Sequence, residues 1–191
     1  MKLLMHICCG PCATYPTRAL SEAGHEVHGF FYNPNIHPLA EHGLRVDSVK
    51  KLLEHTGITA ELHEEYDVEE YFRHVVYRER NRCQACYHLR LEKAARTAAR
   101  RRFDAFTTSL LVSPYQKHDL IREIGQSLGM EYGIEFYYED FRSGWPHTRR
   151  MAREMGLYRQ KYCGCIYSEK ERFLFPSKKP VGNGQDNVGN A

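Results

Sequence analysis

Short apolar runs alternate with amphipathic stretches along this chain, and the alternation predicts its elements. The run "KLLMHIC" leads into Gly10-Pro11 and reads as a first strand. Pro11 suits the first turn of a helix through Thr14 to Ala23, closed by Gly24. "HEVHGFFYN" reads as a second strand, ended by the Asn-Pro-Asn turn of Asn33 to Asn35. Strand, helix and strand in so few residues form a βαβ unit, whose natural product is a parallel sheet. A helix from Leu44 to His55 stops at Gly57, "ITAELH" is a third strand, and a helix over Val68 to Val76 follows. Residues 82 to 102 carry the most regular helical pattern, with Tyr87, Leu91, Ala94, Ala95 and Ala98 on one face and Arg90, Lys93, Arg96 and Arg100 on another. "FDAFTTSLL" is a fourth strand, followed by the loop "VSPYQKH" and a helix from Asp119 to Leu128. "GIEFYY" is a fifth strand, and "TRRMAREMG" a last helix that delivers the chain to Tyr162-Cys163-Gly164-Cys165.

The order of elements predicts a single α/β domain with a mainly parallel, Rossmann-like sheet over residues 1–176. From Ser177 the tail "SKKPVGNGQDNVGNA" has the composition of a disordered terminus. A chain of 191 residues suffices for one domain of ordinary size and is short for two. The 42% hydrophobic and 27% charged composition is that of a soluble globular protein. No apolar run approaches the roughly 20 residues needed to span a bilayer. "MKLLMHI" lacks a secretory cleavage site, so the cytoplasm is expected and no membrane partner.

A formal net charge of +3 does not announce a nucleic-acid binder, but the charges are segregated. From Arg78 to Arg102 nine basic residues stand against Glu79 and Glu92, and a second basic stretch holds Arg142, Arg149, Arg150, Arg153, Arg159 and Lys161. Acidic residues gather in "AELHEEYDVEEY" and "EFYYED".

The seven cysteines change the picture most. Their odd number, without a secretion signal, argues against a disulfide framework and leaves metal binding or thiol chemistry. All fall in clusters: Cys8, Cys9 and Cys12; Cys83 and Cys86; Cys163 and Cys165. Soft thiolates in short spacings suit zinc or iron–sulfur clusters. One tetrahedral site takes four thiolates and leaves three for a second metal or a reactive thiol. Cys9-Gly-Pro-Cys12 matches the thioredoxin dithiol letter for letter, yet it follows the first strand directly, and thioredoxin chemistry needs none of the other five cysteines. In an extended strand Cys8 and Cys9 would point to opposite sides, whereas Cys163 and Cys165 share a side.

In an open parallel sheet, ligands gather at the carboxyl ends of the strands. Cys8 to Cys12, Asn33 to His37 and Ser113 to His118 therefore converge on one rim. Asn33 and Asn35 are candidate substrate contacts, although Asn-Pro-Asn is also plain turn chemistry. Gln116 is a further contact candidate in a polar loop, where a surface role is the default. His37, Tyr115, His118 and Tyr162 are candidate proton donors by their nearness to the motifs, and Tyr115 is also placed to stack on a base. Arg82 and Arg149 represent the two basic stretches that would meet phosphates, against the alternative of a solvated helix face.

Together the motifs "HICCGPC", "FYNPNIHP", "RCQACYHLRL", "TTSLLVSPYQKH" and "GLYRQKYCGCIYS" resemble the QueH-type epoxyqueuosine reductases, in the same order over residues 3 to 168. The resemblance implies a HUP-like catalytic domain. It implies reduction of epoxyqueuosine to queuosine at the wobble position of tRNA, with the epoxide oxygen leaving as water, as the last step of queuosine biosynthesis. It also implies a [4Fe-4S] cluster with an additional mononuclear iron nearby, no cobalamin, and an electron donor of flavodoxin or ferredoxin type. Some members carry Asp where this chain has Cys12. The glycine-rich phosphate loop expected after strand one is replaced by Cys8 to Cys12, so no ATP requirement is expected. The residues agree with this chemistry: cleaving a C–O bond with two electrons needs an electron source, a Lewis acid and protons. Two readings stay open beside it, a zinc-stabilised RNA-binding module and a thiol oxidoreductase acting through Cys9 and Cys12.

Overall fold

In the computed structural model, which describes residues 1–174, the first strand, β1 (Lys2–His6), is buried from Leu3 to His6. A strand buried on both faces belongs at the centre of a parallel sheet covered by helices. Its neighbours are β2 (Glu26–Phe31) on one side and β4 (Ala105–Thr108) on the other; β3 (Ala60–Leu62) and β5 (Glu135–Phe136) complete the order β3-β2-β1-β4-β5. Every adjacent pair is parallel, with His6 beside both Phe30 and Thr108. The helices among the described residues are α1 (Gly10–Glu22), α2 (Leu39–Thr56), α3 (Val68–Val75), α4 (Arg82–Arg100), α5 (His118–Tyr132), α6 (Trp145–Glu154) and α7 (Ile166–Leu174). Leu3, Met5, Ile7, Phe30, Phe31, Phe106 and Leu111 form the centre of the core.

This topology positions the site. The chain leaves β1 toward β2 and β3, then crosses back to β4 and β5, so the strand order reverses between β1 and β4. Connections diverge there and open a crevice beyond the carboxyl ends of those strands. Cys8 and Ser109 stand at its two lips.

Helix α1 begins at Gly10 with Pro11 in its first turn as expected, and it is capped by Cys9, so Cys12 is helical. Several other elements differ from the sequence expectation. Helix α2 begins at Leu39, not Leu44, and ends at Gly57, whose φ of 70° provides a left-handed stop. The "SLL" of the expected fourth strand is a 3-10 turn over Ser109–Val112, where the Thr108 hydroxyl accepts the Leu110 amide at 3.2 Å. Helix α7 was not expected from the pattern; none of its residues is buried, so it lacks the apolar stripe that marks the others. The tail expected to be disordered from residue 177 lies outside the described residues. No described helix is long and apolar enough to cross a membrane.

Candidate metal centre and active site

Beyond β1 the ladder ends with the Ile7 amide donating to the Phe30 carbonyl at 2.8 Å, and the chain turns into α1. Cys9 has extended backbone angles and caps that helix, its sulfur accepting the Cys12 amide at 3.4 Å. From the end of β4, the Ser109 hydroxyl accepts the Cys8 amide at 3.0 Å and donates to the Cys8 sulfur at 3.4 Å. The sulfurs of Cys8, Cys9 and Cys12 all lie within 4.8 Å of one another and are buried. Cys8 and Cys9 therefore do not face opposite ways as expected for a strand; the strand has ended at His6, and their sulfurs approach to 3.8 Å. That separation is far beyond a disulfide bond of about 2.05 Å, and all seven cysteines are free thiols. Hydrogen bonds from the Cys12 and Cys9 thiols, then from Ser109, hold the Cys8 thiol well below its ordinary pKa. Burial pushes Cys9 up, and the thiol of Cys12 is pushed up by its hydrogen bond to Cys8. Three buried soft donors converging without a disulfide fit a thiophilic metal.

The segment after α6 closes this site. Gln160 donates from Nε2 to the Cys9 sulfur at 2.9 Å and to that of Cys12 at 3.6 Å, while its Oε1 is buried without a partner. The next residues are clamped from α2. Arg45, 1% exposed, donates from Nη1 to the Cys163 carbonyl at 2.8 Å and from Nη2 to the Tyr162 carbonyl at 3.0 Å. It also pairs with Glu41 at 2.8 Å, one helical turn away, and Tyr158 donates to the other Glu41 oxygen. Gly164 follows with φ of 147°, where an added Cβ would lie 3.2 Å from Arg45 Nη1. Gln160, Arg45 and Glu41 were not anticipated from the sequence. An arginine four residues after a glutamate reads as an exposed helical pair, and Gln160 carries no motif chemistry of its own.

A second, looser set of sulfurs lies between α3, α4 and the start of α7. Cys86 and Cys165 pack with Tyr71 and Val75 in one buried cluster. Burial raises the Cys86 thiol to about 12, and the sulfurs of Cys163, Cys165 and Cys83 add to that shift after the opposing field of Arg90. Cys165 accepts the Ser168 amide at 3.4 Å, and Cys163 accepts Gln116 Nε2 at 3.6 Å. Of these four, Cys86 and Cys165 share one packed cluster, whereas Cys83 packs against the main core and, among the described residues, only Cys8, Cys9 and Cys12 form a tight group of sulfurs.

The other expected residues fall into distinct settings. Asn33 is buried, donating to the Ile7 carbonyl at 2.8 Å and accepting Arg90 Nη1 at 3.4 Å, so it ties the ends of β1 and β2 together. Asn35 is buried with Oδ1 unpartnered. His37 stacks on Phe72 at 5.3 Å, its Nδ1 accepts the Ile166 amide at 3.4 Å, and Nε2 is buried without a partner. Burial lowers its pKa to about 4, so it is neutral at pH 7 with its proton on Nε2. The Tyr162 hydroxyl donates to the His37 carbonyl, and burial raises its pKa. Gln116 accepts the Tyr87 hydroxyl at 2.8 Å. His118 is held by its own loop, with Nε2 at 3.2 Å from the Ser113 carbonyl and Nδ1 at 3.9 Å from Asp140. Tyr115 is 82% exposed, edge-on to Trp145.

The basic stretches divide. Arg149 is exposed on α6 and forms no ion pair among the described residues. Arg82 is engaged, donating to Glu171 at 2.6 Å and to the Glu79 carbonyl at 3.1 Å. Arg90, expected on a phosphate-facing surface, is instead 2% exposed because α4 packs that side toward the cysteines. Outside Gln160 an open pocket of about 600 Å³ is lined by Leu157, Arg159, Gln160, Lys161, Arg172 and Phe173. Its three cations have no ion pair among the described residues, so an anion-attracting surface lies on the outer side of Gln160.

The family described as "Epoxyqueuosine reductase QueH" matches residues 3–171. The chain belongs to the QueH family. A QueH epoxyqueuosine reductase of Dehalococcoides mccartyi is 39% identical over 176 residues, covering 92% of this chain and 97% of that one. Another, of Thermotoga maritima, is 34% identical over 180 residues, covering 89% and 91%. The predicted subunit of a tRNA methyltransferase from Methanocaldococcus jannaschii shares the fold, with a TM-score of 0.52 at 15% identity over 80% of this chain and 74% of that one. The sheet is accordingly a parallel, Rossmann-like one. QueH proteins are oxidoreductases of queuosine biosynthesis, acting in tRNA modification. The clustered cysteines of this chain stand at the switch point of that fold.

Proposed function

We propose that this chain reduces epoxyqueuosine to queuosine in tRNA with metal held by its seven cysteines. The observation that carries the reading is the convergence of the Cys8, Cys9 and Cys12 sulfurs within 4.8 Å, buried and unoxidised at the strand switch point. In this reading Cys83, Cys86, Cys163 and Cys165 would hold a [4Fe-4S] cluster and Cys8, Cys9 and Cys12 a mononuclear iron; the shared packing of Cys86 and Cys165 favours the first set and the close triple the second. When bound, the cluster would supply electrons singly, and the iron a Lewis acid for the departing oxygen.

The chain's own groups do the rest. Removing the epoxide oxygen as water consumes two electrons and two protons. His37, held neutral by burial and with Nε2 unpartnered beside the segment that carries Cys165, would orient the departing oxygen as a hydrogen-bond donor, with the two protons supplied by water, since a neutral imidazole is too weak an acid to give one up. Tyr162 keeps its proton in the hydrogen bond to the His37 carbonyl, and His118 and Tyr115 line the opposite loop. Asn35 Oδ1 is a free acceptor for the nucleoside, Asn33 and Gln116 hold the surrounding wall, and Arg149 with the pocket cations would take tRNA phosphates. Arg82 contributes by bracing α4 against α7 through Glu171. An electron donor of flavodoxin or ferredoxin type would complete the cycle, with neither cobalamin nor ATP, in the cytoplasm.

Iron, zinc and acid-labile sulfide per chain, measured on anaerobically purified protein together with reduction of epoxyqueuosine tRNA by dithionite, test the reading. Four or five iron atoms with about four sulfides and formation of queuosine support it. Stoichiometric zinc, no sulfide and no turnover after reconstitution with iron and sulfide would make the protein a zinc-stabilised RNA-binding module.

A further inference from the structure

Arg90 is a buried cation without a carboxylate. It is 2% exposed and forms no ion pair among the described residues. Nε donates to the Cys86 carbonyl at 3.1 Å and Nη1 to Asn33 Oδ1 at 3.4 Å, and the Tyr87 ring lies 5.8 Å from the guanidinium, whereas Nη2 is buried with no hydrogen-bond partner among the described residues. The contrast with Arg45 is direct, because that equally buried guanidinium has Glu41 at 2.8 Å. An uncompensated buried charge costs several kcal/mol even after relaxation, so a native protein supplies it with an anion. The guanidinium stands between the two sets of cysteines: Nε is bonded to the carbonyl of Cys86 of the looser set, and Asn33, which takes Nη1, is itself bonded to the Ile7 carbonyl, next to Cys8 of the tight triple. Cys86 and Arg90 stand four residues apart on α4, one turn along the same face, so the helix that delivers a ligand also delivers the charge.

We propose that Arg90 is the shared counter-charge of the two thiolate sets, a positioning residue that raises the reduction potential of the metal bound there. The proposal rests on the iron-bearing reading above. Each electron added to a thiolate-held centre adds negative charge, and a fixed positive charge in a water-poor interior favours the reduced form. Asn33 orients the guanidinium, which explains why a turn asparagine is buried and bonded on both its amide atoms. The unpartnered Nη2 leaves one donor free to meet a sulfur-ligated group between the two sets.

The test is a redox titration of the holoprotein, followed by visible absorbance and electron paramagnetic resonance, in wild type, Arg90→Met and Arg90→Lys, each with iron and sulfide counted. Arg90→Met with wild-type iron content is expected to shift the equilibrium at least tenfold toward the oxidised form, a midpoint about 59 mV lower for a one-electron couple. Arg90→Lys, which keeps the charge but not the planar fork, is expected to stay near wild type. A fully loaded Arg90→Met with unchanged midpoint overturns the proposal, since a merely structural arginine would not move the potential. If Arg90→Met does not fold or load, Arg90→Lys decides: a wild-type midpoint supports the charge, and a tenfold shift assigns the effect to hydrogen bonding instead. A wild-type protein without redox-active iron overturns the functional reading itself and this proposal with it.

Discussion

Gln160 Nε2 lies 2.9 Å from the sulfur of Cys9, a residue 151 positions earlier in the chain. A hydrogen bond to a ligand sulfur fixes its direction and lowers the charge it presents, and such outer partners typically govern metal affinity by about 10–100-fold. Gln160→Leu preserves bulk but removes the donor. It is expected to release iron from the Cys8, Cys9 and Cys12 site at correspondingly lower chelator concentration, with little change in fold. Iron retention against a graded chelator, beside far-ultraviolet circular dichroism, checks this.

Arg45 bears on stability more than on metal. Its guanidinium holds the Tyr162 and Cys163 carbonyls while buried against Glu41. Removing one partner of a buried pair strands the other charge, so Glu41→Ala is expected to cost about 3–5 kcal/mol. Arg45→Met should lose a comparable amount and also free the segment bearing Cys163, giving faster alkylation of that thiol. Denaturant unfolding and mass-resolved thiol labelling of the metal-free protein measure the two effects separately.

The strands and the clustering of Cys8, Cys9 and Cys12 were legible because both are local: apolar runs bounded by Gly, Pro and Asn mark strands, and the three cysteines are neighbours in sequence, although the convergence of the Cys8 and Cys9 sulfurs was not, because it depends on the strand ending at His6. What the sequence concealed depends on packing between distant segments. Arg90 shares a helix with exposed Arg96 and Arg100 and looks like them, yet it turns toward cysteines whose partners lie over seventy positions away. Arg45 looks like one half of a surface pair until the loop around Cys163 covers it. Arg82 belongs to a basic stretch, but its acidic partner Glu171 sits on α7, a helix with no buried residue to announce it.

Gly10 shows two effects in opposition. As a residue in the first turn of α1, its replacement by Ala would favour the helix by up to about 1 kcal/mol. The added Cβ, however, would stand 2.5 Å from the backbone oxygen of Ser48, which a side-chain rotation cannot relieve. Overpacking of this kind costs about 1–3 kcal/mol, so the steric effect wins. Gly10→Ala is expected to lower the melting temperature and, by pushing α1 from α2, to weaken iron retention between Cys9 and Cys12. Adding Ser48→Ala should restore little, because the backbone oxygen remains; a thermal melt of the single and double variants decides.

The pocket beside Gln160 predicts where tRNA is held. Arg159, Lys161 and Arg172 converge there without carboxylate partners among the described residues, whereas Arg122 and Arg150 elsewhere are matched by Asp119 and Glu154. A cation already paired gains less from a phosphate, since it must first give up its partner. Each phosphate neutralised on a single strand adds about 0.7 to the slope of log affinity against log salt, so replacing all three pocket cations by Ala should reduce that slope by about 2. Replacing Arg122 and Arg150 should change it much less, although two charges are lost. Fluorescence anisotropy with an anticodon stem-loop over a salt series reads both. Equal slopes for the two sets of variants would make net charge, not the pocket, the source of affinity. Unchanged RNA binding with reduction lost only when a protein donor replaces dithionite would assign the pocket to the electron donor, whose acidic surface would seek the same three cations.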